Sequence, residues 1–392
     1  MRPLDGITVV SLEQAVAAPF ASRQLADLGA RVIKIERPKV GDFARDYDKT
    51  VKGLASHFVW LNRSKESLTL DVKQPKAKQI LEKLVARADV FIQNLAPGAA
   101  DRLGLGAQKL LARHPRLVVC DISGYGDSGP YADKKAYDLL VQSEAGLLSV
   151  TGTPETPSKV GISIADIATG MYAYSGILTA LYRREKTGEG GRVEVTMLEA
   201  LGEWMGYPLY YTHFGGSAPA RSGPDHATIV PYGRYRAADG KDVMLGLQNE
   251  REWAAFCDKV LGQPALATDA RYDSNSKRNE CREELTALVS KVFSTLSAEQ
   301  LVAKLEAAGI ANARINTPEE VWDHPQFKAR NRWREFGSAV GPLPAPLPPA
   351  TISGFEARMD PMPRIGEHSE SILGELGYSG ADIAALRASG AI

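Results

Sequence analysis

Ile7 to Glu36 reads ITVVSLEQAVAAPFASRQLADLGARVIKIE, and the changes of period inside it decide the fold class. ITVVSL is a short β-branched run with no polar alternation, the pattern of a strand covered on both faces. Ala18 to Leu28 then shows helical spacing, and Arg31 to Glu36, RVIKIE, returns to strand. Two such strands joined by a helix-length connection cannot be a hairpin, so they form a parallel βαβ unit. The alternation continues outward. Pro75 to Ala88 is an amphipathic helix, Val90 to Gln93 a strand, a helix opens near Pro97, and Leu117 to Ile122, LVVCDI, is a further buried strand. The sequence therefore predicts an α/β protein built on an open, wound parallel sheet of Rossmann-like type.

The nucleotide fingerprints that often accompany such a sheet are missing. The turn after the first strand reads EQAVAAPF, with no G-x-G-x-x-G, and no Walker sequence occurs anywhere. GEGG, Gly188 to Gly191, lies between a helix and the strand RVEV, where glycines turn the chain. Neither nicotinamide nor flavin chemistry is expected. The texture changes near Ser222. Gly233 to Leu247, GRYRAADGKDVMLGL, reads as a hairpin turning at Asp239-Gly240, and helical patterns follow at Glu250 to Leu261, Arg282 to Phe293 and Ala298 to Ala308. The expected organisation is a large domain over 1–225, a smaller α+β domain over 226–325, and a C-terminal segment, 326–392, returning to the large domain. In that segment Val340 to Pro349, VGPLPAPLPP, reads as an extended strap, and the tail as helix broken near Gly377.

Bulk chemistry narrows the function. Among 392 residues, 47 Lys and Arg balance 47 Asp and Glu, so no overall field favours nucleic acid or an anionic membrane. Any anion site must be assembled locally. Cys120, Cys257 and Cys281 are far apart with no C-x-x-C, which argues against zinc and a disulfide framework and for a reducing cytoplasm. The six histidines, His57, His114, His213, His226, His324 and His368, lack H-x-x-x-H or H-E-x-x-H spacing, so no metal is expected. Apolar runs fall short of the roughly 18 residues that span a bilayer. Asp5 and Glu13 interrupt what could pass for a signal peptide. GYGDSGP, 124–130, is not a G-x-S-x-G elbow and reads as a loop.

Three groups could carry chemistry. In GISIADIATGMYAYSGILTALYRR, Gly161 to Arg184, Asp166 stands where an apolar run gives way to a long helix. Unpaired N–H groups and the helix dipole stabilise a carboxylate there, so Asp166 is a helix cap, an anionic nucleophile, or both. Lys135-Ala136-Tyr137-Asp138 opens another helical run. Arg37, Lys73 and Arg102 stand at carboxyl ends of expected strands or starts of the following helices, where ligands of wound sheets bind and phosphates find Arg forks.

Several long motifs, in collinear order, resemble the class III CoA-transferases, a family that includes formyl-CoA transferase, the carnitine and bile-acid CoA-transferases and the α-methylacyl-CoA racemases. They are AAPFASRQLADLGARVIKIERPKVGDFAR, LNRSKESLTLDVK, ADVFIQNLAPGAADRLGL, the Tyr137-Asp138 segment, IADIATGMYAYSGILTAL and GEHSESILGELG. The resemblance implies that Asp166 is a covalent nucleophile that accepts CoA through an aspartyl mixed anhydride. It further implies that coenzyme A is contacted by Gln14, Ala15, Val16, Arg37, Lys73, Asn94, Leu95, Arg102, Lys135 and Tyr137, with Asp138 a supporting acid. The substrates it implies are an acyl-CoA and a small carboxylic acid, with no metal, and the assembly an interlocked, ring-like homodimer.

Two departures bear on the reaction. The racemases place a His before the acid of the second motif, whereas this chain has Tyr137, and a phenol is a poor base at neutral pH. The stretch comparable to the glycine-rich lid of formyl-CoA transferase reads LGLQNEREW, Leu245 to Trp253, with a single glycine. VKGLASHFVWLNRSKESL resembles the branch acting on short dicarboxylates, for which Arg221 or His226 is the expected partner of a second carboxylate. An intramolecular CoA-transferase, a racemase and a non-enzymatic acyl-CoA-binding protein are the alternatives.

Overall fold

Six strands form one wholly parallel sheet, in a computed structural model that describes all of residues 1–392. They are β1 (Thr8–Leu12), β2 (Arg31–Glu36), β3 (Lys65–Thr69), β4 (Val90–Gln93), β5 (Val118–Ser123) and β6 (Gly191–Thr196). Their spatial order is β3-β2-β1-β4-β5-β6, so the winding reverses between β1 and β4 and opens a crevice beyond their carboxyl ends. The expected wound sheet is present. The unforeseen strand is β3, KESLT, whose polar composition hides it. Lys65 is 2% exposed and Ser67 fully buried, because ionic partners inside the sheet satisfy them.

The helices up to the end of this sheet are α1 (Ala17–Asp27), α2 (Ser56–Leu61), α3 (Pro75–Val85), α4 (Ala99–Leu103), α5 (Ala107–Arg113), α6 (Asp138–Glu144), α7 (Leu147–Val150), α8 (Ile164–Thr187) and α9 (Met197–Trp204). The alternation of side chains along each strand feeds two cores. Val10, Leu12, Ile33, Ile35, Phe91 and Val119 face one, packed with Ile80, Leu81 and Leu84 of α3. Val9, Val32, Val90, Ile92 and Val118 face the other, with Ala18, Ala21 and Leu25 of α1 and Ala173 and Ile177 of α8. Each such aliphatic side chain contributes about 1.5–3 kcal/mol when fully buried. The C-terminal tail joins the first core through Ile372, Leu373, Ile383 and Leu386, on helices Ser369–Glu375 and Gly380–Ala388 that flank Gly377.

Contacts divide the chain into two units: Met1–Ala145 with Val160–Gly206 and Ala329–Ile392, and Gly146–Lys159 with Tyr207–Lys328. In the first, the proline-rich stretch is more than a strap. Its Leu343–Pro346 pairs antiparallel with Trp333–Phe336, and Leu343 and Ala345 point inward beside Phe58 and Met362. Pro344 and Pro346 alternate with them and are exposed, as suits a two-stranded edge with no ladder bond to lose.

The second unit contains α10 (Gly206–Gly215) from Tyr207 onward, and a three-stranded antiparallel sheet of β7 (Tyr232–Arg236), β8 (Asp242–Gly246) and β9 (Ala311–Arg314). The hairpin turns at Gly240, φ 75°. β9 was not legible, since ANAR is short and carries no strand pattern. The expected helix Glu250–Leu261 is α-helical only to Ala255 and continues as a π-helical turn over Phe256–Leu261. Trp253, Phe256, Leu285, Val289, Phe293, Leu301 and Leu305 form the core of this unit.

Candidate active site at the switch point of the large sheet

The loop Glu13–Val16 connects β1 to α1 at the reversal of winding, and it is held from three directions. Asn94, just after β4, brackets Gln14: its Oδ1 accepts the Gln14 N–H at 2.9 Å and its Nδ2 donates to the Gln14 carbonyl at 2.9 Å. Ala15 is left-handed, φ 63°, a conformation that costs an L-residue roughly 1–2 kcal/mol. Its N–H donates to Asp42 Oδ1 at 3.1 Å. Glu13 points down into the sheet, where Lys65 Nζ lies 2.7 Å and Lys34 Nζ 3.3 Å from Oε1, and the hydroxyls of Ser11 and Ser22 donate to Oε2. Burial alone would raise the Glu13 carboxyl. The two ammonium groups outweigh it and hold Glu13 at about 2. Burial pulls Lys65 down to about 8, against the pull of Glu13.

Asp166 lies in the first turn of α8 but does not cap it. The N-cap residue is Ser163, and its side chain makes no capping bond. The capping is done by Asp138 at the start of α6, whose Oδ1 accepts the N–H groups of Ala165 at 2.8 Å and Asp166 at 3.2 Å. Gln142 fixes the other oxygen of Asp138 at 2.6 Å. The Asp166 carboxyl is thereby free of capping and meets the amino end of α1, with the backbone N–H of Ala17 directed at it. That approach depends on Gly170, one turn along α8. A Cβ there would sit 2.7 Å from the Ala17 carbonyl and 2.9 Å from the Phe20 ring.

Burial, and then the neighbouring Asp138 carboxylate, push Asp166 up to about 7, with the Ala17 N–H opposing. A carboxyl poised near neutrality, partly exposed, at the switch point of a wound sheet is the arrangement found where an acid or nucleophile is tuned for chemistry. Tyr47, which the sequence did not single out, belongs here as well. Burial raises its hydroxyl to about 12, with Asp42, Asp166 and Tyr137 adding to the effect. Only its place after the GDFAR motif hinted at it.

The remaining expected contacts follow the carboxyl edge of the sheet. The Leu95 N–H donates to Gln93 Oε1 at 2.8 Å, and Gln93 donates to Asp121 at 3.0 Å. Val16 is 3% exposed, so only its backbone can meet a ligand. Arg37 donates to the Gly41 carbonyl at 3.2 Å and Arg102 to the Pro97 carbonyl at 3.3 Å. Lys73, Lys135 and Tyr137 are exposed. A cavity of about 490 Å³ opens beyond β2 and β3, lined by Lys39, Thr69, Ile365, Ser369, Arg387 and Ile392 among others; none of the expected contacts lines it.

Arg221 and His226 belong to the second unit. The Arg221 guanidinium donates to the carbonyls of Ser149, Thr153 and Pro154. His226 Nδ1 accepts the N–H groups of Thr228 and Ile229. Its ring stacks on Tyr232 at 5.1 Å between centroids, and burial, then the Arg282 cation, lower its pKa. No helix of the protein is long and apolar enough to cross a membrane.

The chain matches the family model for CoA-transferase family III over residues 4–369. It is 33% identical to the succinyl-CoA:glutarate CoA-transferase of Mus musculus, over all of this chain and 91% of that protein. It is 35% identical to the acetyl-CoA:oxalate CoA-transferase of Acetobacter aceti, over 93% of this chain and 92% of that one. Among solved structures, a CAIB/BAIF family protein from Brucella suis superposes with a TM-score of 0.84 at 33% identity, covering 96% of this chain and 99% of that one. A wound sheet without a dinucleotide loop, bearing a carboxyl tuned to neutrality at its switch point, agrees with these matches along the whole length, and the chain belongs to CoA-transferase family III.

Proposed function

We propose that this CoA-transferase moves CoA from an acyl-CoA donor to a free short-chain dicarboxylic acid by ping-pong catalysis at Asp166. The observation that carries the reading is the Asp166 carboxyl itself, released from capping by Asp138 and set against the amino end of α1. A carboxylate is a weak nucleophile whose acyl adducts keep the energy of a thioester, as CoA exchange requires. One Asp166 oxygen attacks the thioester carbonyl carbon, the C–S bond breaks, and a mixed anhydride and CoA thiolate result. The thiolate attacks the Asp166 carbonyl and expels the donor acid, leaving an aspartyl-CoA thioester. The acceptor carboxylate attacks that thioester to give a second anhydride and free thiolate, and attack of the thiolate on the acceptor carbonyl regenerates Asp166. Thioester energy is conserved throughout.

Each tetrahedral step develops an oxyanion, which calls for preorganised N–H donors. The amino end of α1, whose Ala17 N–H is directed at Asp166, is the source we assign to them, since the Gln14 and Ala15 N–H groups are already taken by Asn94 and Asp42. CoA runs along the carboxyl edge of the sheet, past Gln14, Ala15, Val16, Asn94 and Leu95, with Arg37, Lys73, Arg102, Lys135 and Tyr137 around it. Asp138 supports the nucleophile, and Arg221 or His226 meets the second carboxylate of the acceptor.

A dicarboxylate acceptor is supported by the succinyl-CoA:glutarate and acetyl-CoA:oxalate transferases among the relatives. The working form is a homodimer in the cytoplasm. Supporting this, α10 has no buried residue and exposes Tyr207, Leu209, Tyr210, Tyr211 and Phe214, an apolar surface that a stable monomer rarely leaves uncovered. Intact-protein mass spectrometry after incubation with succinyl-CoA tests the proposal. A CoA-sized adduct should form on the native protein, be absent from Asp166→Ala, and be discharged by glutarate or a related dicarboxylate but not by acetate. An adduct on the Asp166→Ala protein would overturn it.

A further inference from the structure

We infer that Asp42 is a positioning residue for the transfer reaction: it holds Ala15 in its left-handed conformation and so aims the first N–H groups of α1 at Asp166. This rests on Asp166 being the nucleophile. Asp42 is 2% exposed and opens the short helical turn Phe43–Asp46, separated from the Ala15 loop by α1 and β2. Its Oδ1 accepts two backbone N–H groups, that of Ala15 at 3.1 Å and that of Ala44 at 2.9 Å. Its Oδ2 receives Lys34 Nζ at 2.8 Å. Its own N–H donates to Glu36 Oε1 at 2.9 Å, and Glu36 is gripped by Arg45 and Ser67. The carboxylate is therefore fully used, and one of its bonds goes to Ala15, the left-handed residue of the loop between β1 and α1.

The loop has little else to keep that strain in place. Asn94 fixes Gln14, one residue before Ala15, and Glu13 is anchored below. The next fixed point is the start of α1, where the Val16 carbonyl accepts the Phe20 N–H at 2.7 Å. Between these, the left-handed turn at Ala15 sets the direction in which α1 departs, and hence where the Ala17 N–H points. Without an acceptor on its N–H, an alanine relaxes toward negative φ, and the amino end of α1 swings with it. The groups facing Asp166 are Asp138 from α6, the Ala17 N–H from α1, and Tyr47. Losing the Ala17 donor removes the hydrogen bond that opposes burial and the Asp138 charge.

The informative variant is Asp42→Asn. Lys34 offers only donors, so the amide oxygen turns toward Lys34 and the amide NH₂ lands opposite the N–H groups of Ala15 and Ala44. Transfer from succinyl-CoA to glutarate should then fall on the order of 30-fold in kcat/KM, below the loss from deleting a direct oxyanion donor. The acid limb of the kcat/KM profile should move to higher pH by about half a unit or more. Adding Ala15→Gly, since glycine adopts positive φ freely, should restore about fivefold of the loss and bring the limb back toward its native position. Asp42→Ala, which removes both functions of the side chain, should behave as Asp42→Asn does and be rescued likewise.

Native kcat/KM with an unmoved limb in a folded Asp42→Asn protein overturns the inference. A loss that Ala15→Gly leaves unchanged does so too, since it makes Asp42 a general stability element. If Asp42→Asn does not fold, the coupling is read from urea unfolding of Asp42→Glu, which keeps the charge beside Lys34 and displaces the acceptor from Ala15, with and without Ala15→Gly, and additive effects there overturn it. Full thioester exchange by Asp166→Ala is a different result. It removes the nucleophile reading, while the Asp42–Ala15 coupling still shows or fails to show in the unfolding data.

Discussion

Replacing Asp138 by Asn isolates the electrostatic part of nucleophile tuning. Asparagine caps helices as well as aspartate, so its oxygen can keep the bonds to the N–H groups of Ala165 and Asp166, now 2.8 and 3.2 Å long, and the start of α8 stays in place. What changes is the charge, together with the bond from Gln142, whose loss costs about 1 kcal/mol of stability. After burial, the Asp138 charge is what raises Asp166 most, and like charges about 4 Å apart at an effective dielectric constant near 20 repel by about 4 kcal/mol at most. Partial solvent exposure reduces that, and a downward shift of about one pKa unit is the expected size for Asp166.

The sign follows from the chemistry. Asp166 attacks as the carboxylate, so kcat/KM rises with pH through its pKa, about 7 in the native protein, and then levels. At pH 6 the native nucleophile is about one-tenth ionised, and in Asp138→Asn about half. The variant should therefore retain about five times more of its own plateau activity at pH 6. The assay is kcat/KM for transfer from succinyl-CoA over pH 5–9, each protein scaled to its plateau, so that a general loss of activity does not enter. An acid limb left at pH 7, or moved upward, would refute the claim that Asp138 helps keep Asp166 protonated.

Asp166→Asn should raise stability where the native carboxylate is ionised. The folded pKa, about 7, lies above the usual 3.8, so native stability declines as pH rises from about 4 to 7 and stays reduced above. Thermal melts should show the variant gaining on the native protein across that window, by at most about 4 kcal/mol at pH 8 and less where solvent screens the partly exposed carboxyl, and a gap that does not grow with pH rules this out. Gly170→Ala places a methyl group 2.7 Å from the Ala17 carbonyl and should cost about 1–3 kcal/mol in urea unfolding, with a larger fractional loss in kcat than in CoA affinity. Equal loss in both would separate α1 placement from catalysis. Lys65→Met leaves Glu13 with Lys34 as its only ionic partner in a fully buried site and should destabilise by about 3 kcal/mol or more. Unfolding within 1 kcal/mol of native would show the cluster to be redundant.

The wound sheet was legible because β1, β4 and β5 carry mostly apolar residues on both faces and β2 keeps Val32, Ile33 and Ile35 despite Lys34 and Glu36, a pattern that burial between helix layers explains. β3 was not, because Lys65 and Ser67 are made acceptable inside by Glu13 and Glu36, residues 52 and 31 positions away. Local composition carries no trace of a partner so distant. The proline-rich segment likewise read as extended, and its pairing with Trp333–Phe336 appeared only in three dimensions.

At the site, sequence placed Asp166 at the start of a helix and left cap or nucleophile open, since a residue type and a position serve both. Periodicity, the missing glycine loop and the run of family motifs were enough to set the fold, exclude a dinucleotide and assign the chain to the CoA-transferases. Tertiary structure alone moved the capping duty to Asp138, 28 residues earlier, turned the Asp166 carboxyl toward α1, and raised it to about 7. A helix period is written in neighbours along the chain, whereas the ionisation of a carboxyl depends on whichever charges and N–H groups folding brings within a few ångströms of it.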